Sequence, residues 1–262
     1  MLLAIDIGNT MVTIGVFKDT QLVTTMRTAS DSNRLPDEYG LILTNLLRLK
    51  GIEPTEITSI CTCSVVPPLT ATFEVVARTF FQIEQFTIAS GIKTGLPILY
   101  DSPRDVGADR IVDAVAGVKL YGAPLIIVDF GTATVFDAIS KQMEYVGGAI
   151  VPGINISAEA LFLNTSQLRR VELIAPDNPI GKNTTSALQS GLVFGYTDLV
   201  TGLVSRFKKE LGEESKVIGT GGLSPIIAKH TQIFDDINLD LTLIGLNILH
   251  DMNHSNSNKA QI

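Results

Sequence analysis

The segment Ala4-Ile-Asp-Ile-Gly-Asn-Thr10 recurs 123 residues further on as Ile127-Val-Asp-Phe-Gly-Thr-Ala133. Both copies run apolar, apolar, Asp, apolar, Gly, polar, and the offset is close to half of the 262-residue chain. An internal duplication restricts the fold more than any single propensity, because each copy must build the same supersecondary unit. Around the first copy, apolar runs at Leu2–Ile7, 12–17 and 22–28 are separated by turn signals and predict three consecutive strands. Around the second, runs at 125–129, Ala133–Ile139 and 143–150 predict the same meander. Between and after them lie helical patterns. Pro36, Asp37 and Glu38 open an apolar stripe that stops at Gly51; further helices are predicted over 68–81, 108–120 and from near Gly153 and Asn183. Buried strands at 57–63 and 83–88 complete the alternation of strand and helix expected of an α/β sheet with parallel crossovers.

The break at Gly122, Ala123 and Pro124 divides the chain into a first half, 1–121, and a second half, 122–254, that takes the C-terminal helix; 255–262 is expected to be a disordered tail. Two halves that each open with strand, Asp-x-Gly turn and strand would set two Asp-Gly turns facing each other across a cleft suited to a phosphorylated ligand. The pattern at 183–211 reads as one long helix despite Gly191, Gly195 and Gly202, which cost ~1 kcal/mol each relative to Ala. A closely packed second backbone is the expected compensation.

Composition narrows the function classes. A net charge of −7 without any like-charge run argues against general affinity for nucleic acid or an anionic membrane. No stretch approaches 18 consecutive apolar residues, and the start of the chain lacks the basic and apolar blocks of a signal peptide, so a cytoplasmic protein is expected. Cys61 and Cys63 have no second Cys or His cluster with which to complete a metal site. The three histidines all fall late in the chain, far from the glycine turns, so a general base is expected to be a carboxylate.

Three glycine-marked segments carry the chemistry. Asp6-Ile-Gly-Asn-Thr10 combines a carboxylate at a strand end, a glycine that permits close approach, and small polar side chains, a set that suits phosphate oxygens and a hydrated Mg²⁺. An ordinary hairpin turn explains a single copy as well. Asp129-Phe-Gly-Thr132 repeats it, and Val217-Ile-Gly-Thr-Gly-Gly222 runs a strand into glycines ahead of a helix, leaving backbone N–H groups for an anion. No Gly-x-x-x-x-Gly-Lys-Ser/Thr loop exists, so any ATP must be held by the duplicated turns. Asp109 and Arg110 open a helix after Gly107. A first-turn Asp is accounted for by the helix dipole alone, but the Gly- and Pro-marked loop before it is a place where binding residues gather.

In order and spacing, Asp6 to Thr10, Tyr100 with Val106-Gly-Ala-Asp-Arg110, Asp129-Phe-Gly-Thr-Ala-Thr134, Gly147-Gly-Ala-Ile-Val-Pro-Gly153, Thr184 to Gly191 and Gly219-Thr-Gly-Gly222 resemble the motifs of type III pantothenate kinases. The resemblance implies a duplicated actin-like, ribonuclease-H-like α/β fold. It also implies the first committed step of coenzyme A synthesis, in which ATP and pantothenate give ADP and 4′-phosphopantothenate. Carried onto this chain, Asp6, Ile7, Gly8, Asn9, Thr10, Met11, Val12 and Thr13 would cradle the ATP phosphates, Asp6 near Mg²⁺, and Thr132 would contact the nucleotide. Tyr100, Gly107, Ala108, Asp109 and Arg110 would hold pantothenate, with Asp109 as the base and Thr184 reaching the substrate. Asp129 would bind a monovalent cation, K⁺ or NH₄⁺, and a homodimer is implied. Asp113 stands where relatives often have Asn, and Val135 where they often have Thr; neither is assigned to substrate or phosphate. The alternatives are a kinase of the same fold for another small hydroxylated acceptor and a non-catalytic regulatory factor.

Overall fold

The structure, a computed structural model, describes residues 1–254; the expected tail lies outside the described residues. The chain forms two compact units, one of Met1–Gly95, Ser102–Ala116 and the segment from Asp240 onward, the other of Leu96–Asp101 and Gly117–Leu239.

The first unit opens with β1 (Leu2–Ile7), β2 (Met11–Lys18) and β3 (Gln21–Ala29), an antiparallel meander as expected from the spacing of its turns. Strand β4 (Ser59–Ser64) then pairs parallel to β1, and the two-residue β5 (Phe86–Thr87) parallel to β4, giving the order β3-β2-β1-β4-β5. Helix α1 (Pro36–Leu49) begins with proline at its first position, and the Glu38 carboxylate accepts the Leu35 amide at 2.8 Å, satisfying a group the helix itself leaves open. Its Tyr39, Leu43 and Leu47 pack with Leu69 and Phe73 of α2 (Pro67–Val76) against Leu3, Ile5, Ile14 and Val16 of the sheet. The helix expected over 68–81 ends as a widened turn at Ala77–Phe81, and the strand expected over 83–88 shrinks to β5, because the edge position offers it a partner on one side only.

The second unit repeats this plan. Strands β6 (Leu125–Phe130), β7 (Ala133–Ile139) and β8 (Tyr145–Pro152) form the meander. β9 (Lys216–Thr220) pairs parallel to β6 and the short β10 (Asp236–Ile237) parallel to β9, in the order β10-β9-β6-β7-β8. Strands β1 and β6 also share one burial pattern, with only the Asp less than fully buried. Strand β8 starts at Tyr145 rather than at residue 143, since Met143 takes a left-handed turn conformation, φ 59°. Helices α4 (Ile154–Leu163), α5 (Thr184–Leu211) and α6 (Ser224–Ala228) contribute Ile154, Tyr196, Val200, Val204 and Ile227 to the core over Ile126, Val128 and Phe136. The Asn183 side chain caps α5 by accepting the Ser186 amide at 2.9 Å.

Two expectations about organisation need correction. Helix α3 (Ala108–Tyr121) does not lie wholly before the boundary: Ala108–Ala116 belong to the first unit and the last turn to the second. The C-terminal helix α7 (Leu241–His254) belongs to the first unit, where it packs on β1, β2 and β4, burying Leu241, Leu243, Leu246 and Leu249. Chain order pointed to the second half, but the apolar stripe of α7 is complementary to the remaining face of the first sheet. Among the described residues of this chain, nothing lies within 4 Å of a methyl group placed at Gly191, Gly195 or Gly202.

Helix α7 approaches α3 closely in the first unit, where a methyl group on Gly245 would lie 2.3 Å from the Val112 carbonyl oxygen. Backbone cannot yield as a flexible side chain can, so overpacking outweighs the gain in helix propensity. Gly245→Ala is expected to lower unfolding free energy by about 1–3 kcal/mol in urea titrations.

Candidate active site

In both units the motif residues converge where β-ladder geometry puts them, at the end of the central strand. Asp6 is opposite Thr13 on β2 and Cys63 on β4. The turn that follows closes through the Gly8 amide donating to the Met11 carbonyl at 3.1 Å. Ser30 holds this turn from outside: its hydroxyl donates to the Gly8 carbonyl at 2.6 Å and its amide to the Thr10 carbonyl at 3.1 Å. Ser30 went unnoticed in the sequence, since only the pairing of β2 with β3 brings it beside Gly8. Asn9, Thr10 and Met11 are exposed, while Ile7 and Val12 are fully buried in the core. Those two expected phosphate contacts therefore reduce to backbone groups.

Helix α3 brings a second set of carboxylates to the same strand end. Asp109 is half-buried in the first turn, and its Oδ1 accepts the Arg110 amide at 2.9 Å. The dipole-complementing role expected of a first-turn Asp is thus present, and it engages one carboxylate oxygen. Arg110 and Asp113 are buried at 8% and 3% exposure. Burial pushes the Cys63 thiol well above its ordinary range, and the negative charges of Asp6, Asp109 and Asp113 push it further. Asp6, Asp109 and Asp113 therefore all lie close enough to act electrostatically on Cys63. Asp113 was set aside in the sequence, although its spacing of four from Asp109 puts both on one helix face. The structure brings it into the group.

In the second unit, Asp129 is opposite Val135 on β7 and Thr220 on β9. Gly221, with φ +82°, turns the chain directly over it: a methyl group there would lie 2.5 Å from Asp129 Oδ1. Only glycine fits such a position, which explains why the Gly219-Thr-Gly-Gly222 segment and the Asp129 turn belong together. The Gly147–Gly153 segment joins them through Gly153, whose amide donates to the Thr132 carbonyl at 3.1 Å. Thr132 itself is exposed in the β6–β7 turn, and Thr184 is exposed at the first position of α5. Tyr100 lies in the segment Leu96–Asp101, which docks on β8: the Leu99 amide donates to the Tyr145 carbonyl and the Tyr145 amide to the Pro97 carbonyl, both at 2.8 Å. His250 and His254 stack on each other in α7 and take no part in either group.

Two α/β sheets of equivalent strand order, each with an Asp-x-Gly turn at the end of its central strand, define a duplicated actin-like fold. Solved structures agree on the fold. A Baf family protein from Campylobacter jejuni aligns at TM-score 0.63 with 18% identity, covering 97% of this chain and 99% of its own. The activator of 2-hydroxyisocaproyl-CoA dehydratase from Clostridium difficile, with bound ADPNP, aligns at TM-score 0.57 with 11% identity, covering 100% and 97%. Sequence comparison is more specific. The type III pantothenate kinase family model matches residues 2–206. Type III pantothenate kinases from Myxococcus xanthus and Dehalococcoides mccartyi are 46% and 49% identical, over 97% and 96% of this chain and 100% and 96% of their own lengths. The chain belongs to the type III pantothenate kinase family.

Burial of the two cysteines has a measurable consequence. Desolvation raises both thiols above their ordinary value of 9.0, so the unfolded chain loses these protons first and stability is lost as pH rises through that value. Native protein at pH 8 is expected to leave a thiol-reactive disulfide reagent unconsumed while urea-unfolded protein reacts at both Cys61 and Cys63, and the urea midpoint should fall above pH 9.

Proposed function

We propose that this chain transfers the γ-phosphoryl group of ATP to pantothenate, giving ADP and 4′-phosphopantothenate for coenzyme A synthesis, and that Asp109 accepts the proton of the attacking hydroxyl. Family membership carries the reaction. The grouping of Asp6, Asp109 and Asp113 at one strand end supports the residue assignment. Phosphoryl transfer asks a protein mainly to position donor and acceptor and to neutralise charge. The exposed turn at Asn9 and Thr10 suits the ATP phosphates, and the Asp6 carboxylate offers the oxygen donor that Mg²⁺ prefers. Bound there, Mg²⁺ would offset phosphate charge. Thr132 is assigned to the nucleotide, and Tyr100, Gly107, Ala108, Arg110 and Thr184 to pantothenate. Asp109 Oδ1 already accepts the Arg110 amide, which fixes the carboxylate at the head of α3. A carboxylate is an adequate base because a loose transition state keeps the hydroxyl proton in place until late.

Asp129 is assigned a monovalent cation, K⁺ or NH₄⁺. The chemistry fits: its oxygens lie against Gly221 and Gly131, where the lack of side chains lets main-chain oxygens share coordination. A homodimer is the proposed assembly. In its support, α5 leaves Gly191 and Gly195 uncovered one turn apart, and α4 and the segment after it expose Ile156, Leu163, Ile174 and Ile180 on the same unit. A cytoplasmic location accords with the absence, among the described residues, of any helix long and apolar enough to cross a membrane. An acidic chain of net charge −7 gives no support to a nucleic-acid partner.

ADP release tests the reaction. Pantothenate, and not hexoses, glycerol or acetate, is expected to stimulate it, in potassium far better than in sodium; equal stimulation by a sugar would refute the acceptor. Asp109→Asn should retain its melting behaviour and ATP binding while single-turnover transfer falls ~10²- to 10⁴-fold, with the exposed Glu74→Gln as an unaffected control. A fully active, folded Asp109→Asn protein would leave that residue only its helix-start role. Light scattering should give twice the 28.2 kDa chain mass, and a value at 28.2 kDa would refute the dimer.

A further inference from the structure

Tyr145 is fully buried at the start of β8, and its phenol donates to Asp137 Oδ1 at 2.6 Å. Asp137, on β7, is itself 1% exposed. A carboxyl group at that depth costs desolvation energy, and a short O–H···O bond offsets part of it. A Phe facing an aliphatic residue would fill the same space between two core strands at lower cost. Polar pairs of this kind are explained by what they position.

What Tyr145 positions follows from its contacts with the Leu96–Asp101 segment of the same unit. Its amide and carbonyl make the two 2.8 Å bonds to Pro97 and Leu99, and Ile98 forms a parallel bridge with it. Its ring stands 6.4 Å from that of Tyr100, inclined by 53°. Two residues along the strand, Gly147 has φ +137°, and a methyl group there would touch the Tyr100 ring at 3.7 Å. Tyr100 therefore lies beside β8 with Tyr145 and Gly147 as neighbours, so that the Tyr145 ring bounds the space open to it. That ring is fixed at its far end by Asp137.

We propose that the Asp137–Tyr145 pair is a positioning device for Tyr100 that sets the affinity for pantothenate. The proposal rests on the assignment of Tyr100 to the acceptor site. Neither Asp137 nor Tyr145 touches substrate; they act through the tyrosine above them. The phenol–carboxyl bond holds Tyr145, Tyr145 holds the 96–101 segment by backbone and ring, and the acceptor meets a Tyr100 already in place, which lowers the ordering cost of binding.

Steady-state ADP release by full-length Tyr145→Phe, Asp137→Asn, Tyr100→Ala and the double variant Tyr100→Ala/Tyr145→Phe tests this, with melts alongside. Tyr145→Phe is expected to raise the pantothenate KM about tenfold while kcat and the ATP KM stay within about twofold. Asp137→Asn keeps an oxygen acceptor for the phenol, so its rise should be smaller, about threefold. Because the effect passes through Tyr100, the double variant should be no worse than Tyr100→Ala alone. Unchanged pantothenate KM in Tyr145→Phe, a parallel loss in kcat and both KM values, or additive effects in the double variant would overturn the proposal. If Tyr145→Phe does not fold, Asp137→Asn decides, and an unchanged pantothenate KM overturns it. A normal pantothenate KM in Tyr100→Ala overturns the placement of Tyr100 itself, and the positioning role with it. A raised value there with a normal one in Tyr145→Phe overturns the positioning role alone.

Discussion

Each unit of this protein depends on one central strand paired on opposite edges in opposite senses. Strand β1 is antiparallel to β2 and parallel to β4; β6 is antiparallel to β7 and parallel to β9. The tight hairpin on one side fixes where the strand ends, and the crossover on the other brings a second chain segment to the same end. An aspartate in the next-to-last position thus lies beside a glycine turn and a neighbouring strand terminus at once. The pairing of Asp6 with Cys63 and of Asp129 with Thr220 follows from this register, and a slip by one residue would turn both carboxylates to the opposite face.

From that shared frame the two units diverge chemically. In the first, helix α3 adds Asp109 and Asp113, whose charges, with that of Asp6, add to the effect of burial in raising the Cys63 thiol. Such a place suits a cation, a proton to be removed, or both. In the second, glycines replace charged groups: Gly221 crosses directly above Asp129, so main chain takes the place of side chains around a single carboxylate. Duplication supplied one scaffold twice. Divergence of the residues after the parallel strands gave one copy to proton and metal chemistry and the other to main-chain coordination, on the assignments proposed above.

The segment before α3 shows how a local sequence can be subordinate to distant partners. Residues 96–101 have no regular periodicity of their own, and their conformation is set by bonds to Tyr145. The path of that segment therefore depends on a strand more than forty residues later, whose Tyr145 is itself bonded to the Asp137 carboxyl group.

The duplication, the two meanders, the helices at 36–49 and 184–211, and the three glycine-marked segments were legible in the sequence, because each rests on short-range physics: side-chain periodicity, proline and cap placement, and the φ values only glycine reaches. The family, too, was legible, since its motifs are contiguous strings. What remained hidden depended on long-range contact. Only pairing of β2 with β3 puts Ser30 on the Gly8 turn, and only the tertiary fold brings Asp6 and Asp113 both within electrostatic reach of Cys63. Likewise, α7 joins the first unit because a free sheet face there matches its apolar stripe, a fit between surfaces that no local pattern encodes. Sequence determined which elements form and which residues bear chemistry; tertiary structure decided their company, because burial and register are properties of pairs of segments rather than of either one.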